Sequence, residues 1–371
     1  MVDGAITFPK EDGELQSTSS EARTVPSSLP LLERLSAPVP RRPLGTFPSP
    51  VEHHPELARA LGLEELTLKR DDRNSGTLGG NKLRALEFLL PQLPASVVTM
   101  GGYGSTWAAT LATFGRAGGL SVHLALFPQP WTQSVAASLA VSLTEGTVYP
   151  ASSRVALLGA IARAWRGAAR HGAVRWVAAG GAEPWGVLGS INAGLELARQ
   201  IEQGVLKPPA GIVVPLGSGG TAAGLLLAAW IAGLDLAVCA VRVTDPWFAN
   251  RLTVMGLVRR TRRLLRQLGL SVTPGAARLL VVKDQLGGGY GRSTAGSRDA
   301  VGLAATAGLH LEETYGAKAF AALESLAPSF ARLCFWHTFD ARLVAALPLD
   351  HPLLRQARLH AESLWPHPKL T

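Results

Sequence analysis

Cysteine is almost absent from this 371-residue chain: Cys239 and Cys334 are the only two, far apart in sequence. Neither belongs to a Cys-x-x-Cys pair or a Cys/His ligand set. The expectation is therefore no structural zinc and a reducing, cytoplasmic compartment. Charge is sparse as well, with 17% Asp, Glu, Lys and Arg against 47% hydrophobic residues. That balance, at this length, suits a globular protein of about two domains with sizeable cores. A clean membrane span is missing. The best candidate, residues 222–243, is interrupted by Gly233, Asp235 and Arg242 and divides into a helix followed by a buried strand. Residues 1–20 hold no apolar segment, so no secretory signal is expected there. No repeat of fixed period is visible.

What is abundant is positive charge, with a formal net charge of +9. Part of it is local. Arg259, Arg260, Arg262, Arg263 and Arg266 share a stretch with Leu257, Val258, Leu264 and Leu265 at helical spacing. No recognition motif or aromatic platform accompanies them, so the stretch reads as the solvated face of a helix and no nucleic-acid partner is expected.

Residues 1–29 are rich in Ser, Thr, Glu and Pro with little apolar periodicity, and predict a disordered or loosely attached arm. Pro38, Pro40, Pro43, Pro48 and Pro50 predict an extended segment wrapping a domain. From residue 56 onward short apolar runs alternate with longer helical patterns. Strands are expected at 66–69, 96–100, 121–127, 147–150, 174–179, 212–216 and 236–243. Helices are expected at 106–117, 133–143, 154–170, 186–203 and 221–233. Strand–helix alternation of this kind demands right-handed crossovers and parallel sheet, an α/β class.

Two stretches carry chemistry. In the first, Leu68-Lys69-Arg70-Asp71-Asp72 runs through a Gly/Ser/Asn loop into Gly79-Gly80-Asn81-Lys82-Leu83-Arg84, where a helix opens. Lys82 falls in that helix's first turn, where the dipole disfavours a cation. Two readings are open: a surface lysine that snorkels away, or an amine kept available as an imine-forming nucleophile. In the second, the apolar run ending at Leu216 enters Gly217-Ser218-Gly219-Gly220-Thr221 and a second helix. Glycine amides at a helix start, with the Ser218 and Thr221 hydroxyls, make an anion cradle. No Gly-Lys-Ser/Thr ending is present, which excludes a P-loop of the usual form. Gly217, Gly219 and Ala222 also satisfy the dinucleotide fingerprint, so an NAD-dependent oxidoreductase is an alternative. It has no well-placed acidic ribose partner, however, since Asp235 comes early and Asp245 late. It also leaves Lys82 unexplained. A phosphate cradle and a helix-start lysine together fit pyridoxal 5'-phosphate (PLP), whose phosphate needs the first and whose aldehyde needs the second.

Residues 68–89 resemble the cofactor-lysine segment of the D-cysteine desulfhydrase / 1-aminocyclopropane-1-carboxylate (ACC) deaminase family, tryptophan-synthase-β-like PLP enzymes of fold type II. Residues 217–225 are similar to its phosphate loop. Leu286-Gly287-Gly288-Gly289-Tyr290-Gly291 resembles its third motif. The resemblance implies two open, twisted parallel-sheet domains, with residues 80–172 the smaller and residues 30–79 plus 173–371 the larger. It also implies a homodimer and a PLP-dependent lyase or deaminase that releases ammonia and a 2-oxo acid from a small amino acid. Carried over by position, Lys82 condenses with the cofactor, with Asn81 beside it. Gly217, Ser218, Gly219, Gly220 and Thr221 hold the phosphate, and Tyr315 faces the ring. Ser105 and Tyr290 stand at the substrate, although Ser105 would equally serve as a helix N-cap.

The chain departs from the family at three places. Thr106 and Trp107 follow Ser105 where an Asn that donates to the cofactor's phenolic oxygen is usual, and Trp107 is expected to narrow the substrate space. Gly316 follows Tyr315 where Glu or Thr usually stands near the pyridine nitrogen. Phe339-Asp340 follows His337-Thr338 in place of Gly-Gly. These departures leave open a diverged relative with lost or altered catalysis. If catalysis is retained, the missing acid favours elimination over transamination.

Overall fold

The computed structural model describes residues 30–76, 78–339 and 352–364. The N-terminal arm expected over residues 1–29, and Asp340, lie outside them.

Ten strands form two sheets. They are β1 (Val51–His53), β2 (Glu65–Arg70), β3 (Ser96–Gly102), β4 (Ser121–Phe127), β5 (Thr147–Pro150), β6 (Val174–Trp176), β7 (Gly211–Leu216), β8 (Ala237–Arg242), β9 (Arg278–Val282) and β10 (Arg332–His337). The larger sheet has the order β1-β2-β10-β7-β8-β9 and the smaller β5-β4-β3-β6. Every pairing is parallel except β1 with β2. The helices are α1 (Pro55–Ala60), α2 (Asn81–Leu89), α3 (Thr106–Ala117), α4 (Gln133–Glu145), α5 (Leu157–Ala168), α6 (Pro184–Glu202), α7 (Gly220–Ala232), α8 (Arg251–Gln267), α9 (Ala295–Thr306) and α10 (Gly316–Leu326), with a last helix at Pro352–Leu364.

Both faces of each sheet are covered, which is why the strands read as near-continuous apolar runs rather than alternating ones. On the larger sheet Ile212, Val214 and Trp336 pack under α6, α7 and α8. Their neighbours Val213, Leu333 and Phe335 point the other way, against α1, α9 and α10. On the smaller sheet Val97 and Leu124 face α2, α3 and α4, while Val98 and Ala125 face α5. Burying alternate rows on opposite faces fixes the register, since a one-residue slip would exchange them.

The apolar stretch 222–243 does divide, into α7 and β8. No helix among the described residues is long and apolar enough to cross a membrane. The arginine-rich stretch is α8. It buries Val254, Leu257, Val258 and Leu265 and leaves Arg259, Arg260, Arg263 and Arg266 exposed. The proline-rich segment before β1 wraps the surface as expected. Leu31 N–H donates to the Asn192 side chain and Ser36 N–H to the Leu268 carbonyl.

Sequence periodicity did not anticipate β10. It arrives from far along the chain and inserts between β2 and β7, pairing Phe335 with both Leu68 and Val213. Four apolar or aromatic residues in a row, Leu333 to Trp336, are compatible with strand or buried helix, and only the slot between two distant strands decides. β6 pairs with β3 in the smaller sheet.

The charged run that ends β2 has a structural use. Lys69 and Asp71 are fully buried, with Arg84 and Glu196 nearly so. Arg84, on α2, donates to Asp71 at 2.7 Å and to Glu196, on α6, at 3.0 Å. Lys69 pairs with Glu196 and donates to Gln200 at 2.7 Å. Trp336 Nε1 donates to the second oxygen of Asp71 at 2.8 Å. Burial alone would push the Glu196 carboxyl up; Arg84 and Lys69 outweigh it and hold it at about 2. Helix α2 is thus fastened to β2, β10 and α6 by a paired charge cluster, and α2 carries Lys82.

Candidate active site

In parallel α/β sheets, ligands bind beyond the carboxyl ends of the strands. One cavity of about 280 Å³ opens there between the two sheets. All ten residues singled out from the sequence line it: Asn81, Lys82, Ser105, Gly217, Ser218, Gly219, Gly220, Thr221, Tyr290 and Tyr315. They come from five separate stretches of chain that only the fold brings together.

Lys82 lies in the first turn of α2, which begins at Asn81 after Gly80 with φ +96°. Its amine has no hydrogen-bond or ion-pair partner among the described residues. Burial disfavours the ammonium and draws its pKa down to about 8. The snorkelling alternative is therefore set aside, because the side chain points into the cavity. Asn81 Nδ2 donates to Thr221 Oγ1 at 2.7 Å, joining the start of α2 to the start of α7.

The 217–221 turn brings the first amides of α7 to the cavity wall ahead of the first intrahelical bond, Ala223 N–H to the Gly219 carbonyl. Gly219 has φ +87°, a left-handed backbone that side chains with a Cβ resist. Across from it Gly180, also left-handed at φ +70°, leaves room that a Cβ would fill. A Cβ there would stand 2.2 Å from Ser218 Oγ and 3.8 Å from Lys82 Nζ. The Gly180–Gly181 bend thus keeps space between the lysine and the glycine turn.

Tyr315 covers the turn, its ring 3.1 Å from where a Cβ on Gly217 would be. Its hydroxyl shares a 2.8 Å hydrogen bond with that of Tyr290, the rings meeting edge to face. Burial raises both phenols, Tyr290 to about 12, so both are neutral at ordinary pH. Ser105 does cap α3, its Oγ accepting from Ala108 N–H at 3.2 Å, and it lines the cavity as well.

Two expectations need correction. Trp107 forms cavity wall, but its indole packs inward. Nε1 donates to Thr99 Oγ1 at 3.0 Å and the ring fits where Gly181 has no side chain. The glycine absorbs the bulk that was expected to narrow the substrate space. An acid is also present where none was foreseen. Glu312 is buried at the cavity wall, Oε1 3.8 Å from where a Gly316 Cβ would sit. It accepts from the N–H groups of Thr314, Tyr315 and Gly316 at 2.6–2.7 Å. Burial still raises its pKa. The signal available was a Glu four residues ahead of a helix start, within reach of that helix's unsatisfied first N–H groups. Arg154, Phe127 and Phe248, also on the wall, carried no sequence signal.

A lone amine, its ammonium disfavoured by burial, facing a cradle of helix-start amides across one cavity defines a class: enzymes that hold an anionic carbonyl cofactor covalently on lysine. Residues 43–338 match the family described as pyridoxal-phosphate dependent enzyme, and the chain belongs to that family. It is 31% identical over 320 residues to a nocardicin C-9' epimerase of Nocardia uniformis subsp. tsuyamanensis, covering 82% of this chain and 94% of that one. It is 27% identical over 350 residues to a bifunctional D-cysteine desulfhydrase/1-aminocyclopropane-1-carboxylate deaminase, mitochondrial, of Arabidopsis thaliana, covering 85% and 83%. A crystal structure of an ACC deaminase homologue superposes with a TM-score of 0.71 at 25% identity, covering 85% of this chain and 98% of that one. The α/β fold is the tryptophan-synthase-β-like PLP fold, and the chain is a PLP-dependent enzyme of the lyase/deaminase kind. The nicotinamide alternative falls with this assignment; its late acid, Asp245, is paired with Arg154.

The cavity fits the cofactor on its own evidence: an unpartnered amine, and a cradle that a Cβ at residue 180 would invade. A pH dependence follows. Only the neutral amine attacks an aldehyde, so capture of PLP by the apoprotein is expected to accelerate as pH rises through about 8, not through 10.5. At pH 7 roughly a tenth of the lysine is already neutral. The rate of appearance of the cofactor's visible band between pH 6 and pH 10, approximate limits chosen to bracket that value, measures it.

Proposed function

We propose that the enzyme removes a β-substituent, or opens a strained ring, in an amino acid of the D-cysteine or ACC type, working as a cytoplasmic homodimer. The free, buried cysteines Cys239 and Cys334 suit that compartment. We further assign the cavity to the cleft between two domains, the smaller formed by residues 80–172; β6, just beyond that limit, also pairs with β3 of the smaller sheet.

The observation that carries the reading is the buried Lys82 amine, its pKa drawn down to about 8, held opposite the Gly217–Thr221 turn. In this assignment the turn's amides, with Ser218 and Thr221, hold the phosphate, and Tyr315 covers the ring. Bound PLP supplies a conjugated ring that delocalises the negative charge left when the α proton departs. Lys82, released when the substrate amine takes its place, accepts and returns that proton. Ser105 Oγ is within the same wall, and its bond to Ala108 N–H fixes where its oxygen points. Neutral Tyr290, oriented by Tyr315, can donate to a departing group. The low-dielectric walls strengthen each of these interactions.

For a cysteine-type substrate the C–S bond breaks and sulfide leaves; one water then converts the remaining enamine to a 2-oxo acid and ammonia. Incubation of the holoenzyme with D- and L-amino acids and with ACC, measuring pyruvate, 2-oxobutyrate, sulfide and ammonia, tests this. Release of ammonia with a 2-oxo acid in equal amounts supports elimination. Inversion at the α carbon with no 2-oxo acid would instead favour epimerisation.

A further inference from the structure

The roles assigned so far use one end of the cavity. Toward its mouth the wall turns apolar, with Phe127, Leu157 and Phe248 beside Tyr290, and Phe248 is 58% exposed. The two stretches that supply Leu157 and Phe248 also carry exposed apolar side chains. Val155 and Leu158 flank the start of α5; Trp247 and Leu252 flank the start of α8. These four are the most exposed large apolar side chains among the described residues, at 88%, 77%, 89% and 83%. Single exposed apolar residues are ordinary, whereas Phe127, Leu157 and Phe248 share one cavity wall and so form an apolar binding surface. Arg154, beside Val155, pairs with Asp245, two residues before Trp247, and so brings the two stretches together. Its guanidinium lies 5.3 Å from the Phe127 ring centre and 5.9 Å from that of Tyr290. With that charge already paired, the mouth favours an apolar tail over an acidic one.

We infer that the natural substrate is an amino acid whose side chain carries a bulky apolar or aromatic group, which lies along Phe127, Leu157 and Phe248 at the mouth. This deepens the amino-acid reading above and rests on it. A substrate ending after three or four carbons would leave these side chains unused. A buried aryl group gains contact on several sides, and even one methylene in such a pocket is worth on the order of tenfold in discrimination.

The test compares alanine with phenylalanine, both enantiomers of each, as ligands that shift the visible band of the holoenzyme. Phenylalanine of one chirality is expected to half-saturate at a concentration at least about tenfold below alanine. In the double variant Phe248→Ser/Leu157→Ser, which replaces one exposed and one half-buried wall residue, that ratio is expected to fall toward one. Turnover of S-benzylcysteine gives a second readout: the C–S bond breaks, phenylmethanethiol leaves with its proton, and one water yields pyruvate and ammonia. Equal affinity for the two amino acids, or a ratio unchanged in the double variant, overturns the inference while leaving the lyase reading intact. A change of oligomeric state in the double variant with the ratio unchanged also overturns it, making the mouth a contact between copies. If no amino acid of either size shifts the band, the lyase reading falls together with it.

Discussion

Replacement of Lys82 with alanine is expected to abolish the visible absorption band of the purified enzyme and to lower product formation by a factor of at least roughly 10²–10⁴. The size of the effect follows from the absence of a substitute. Lys82 is the only lysine among the described residues that line the cavity. Lys318 is buried, but its ammonium is held by the carbonyl oxygens of Leu286 and Gly289 at 2.8 and 3.2 Å, where it fixes the loop that presents Tyr290. Lys69 is taken up by Glu196 and Gln200. Neither can move to the cofactor aldehyde without leaving a buried carboxylate or carbonyl unpaired. The variant removes no ion pair and should fold normally. Absorbance spectra of wild type and Lys82→Ala, prepared side by side with added PLP, decide the matter. An undiminished band would refute the assignment of the covalent lysine.

The second large effect is on stability. Arg84→Ala is expected to cost roughly 3–5 kcal/mol, because it leaves Asp71 and Glu196 as buried carboxylates with too few partners. Arg84 makes five hydrogen bonds to those two acids and one to Ser49, with 2.7 Å the shortest. The cluster does not depend on total charge but on pairing, so replacing Arg84 and both acids together by apolar side chains should cost much less than Arg84→Ala alone. Chemical denaturation midpoints of the single and triple variants separate the two cases. Acid should act in the same direction. The folded Glu196 carboxyl sits at about 2, below its ordinary 4.5. Its contribution is therefore fully present above about 4.5 and is lost as pH falls toward about 2. Because Arg84 stands two residues after Lys82 on α2, milder damage should also appear as weaker cofactor retention. Losing the amide of Asn81 would act on the same joint, since it ties α2 to Thr221 of the glycine turn.

Much of the catalytic layout was legible in the sequence because its chemistry is local. A helix-start lysine after Gly79-Gly80 and a glycine turn after an apolar strand each announce themselves within ten residues or so, through backbone needs that few sequences meet by chance. Strand–helix alternation likewise reports the α/β class, since the period of burial is written into each element. The same cannot be said of Glu312, whose neighbours give it the look of a simple helix cap. Only the fold shows it at the cavity wall. Trp107 looked obstructive because its sequence neighbours say nothing of Gly181, which receives its indole.

What the sequence alone determined was the class of fold and two local motifs, a helix-start lysine and a glycine turn, whose physical demands are met within a short stretch of chain; Ser105, Tyr290 and Tyr315 were marked only by the family resemblance. What tertiary structure decided was which groups are paired and which stay free. Lys69, Arg70 and Asp71 looked like part of the active-site signature, yet the fold spends Lys69 and Asp71 on fastening α2, while Lys82 is left with no partner among the described residues. It also placed β10 between β2 and β7 and brought Phe127, Leu157 and Phe248 to one cavity wall. Pairing, burial and neighbourhood are properties of distant segments meeting, and no local pattern encodes them.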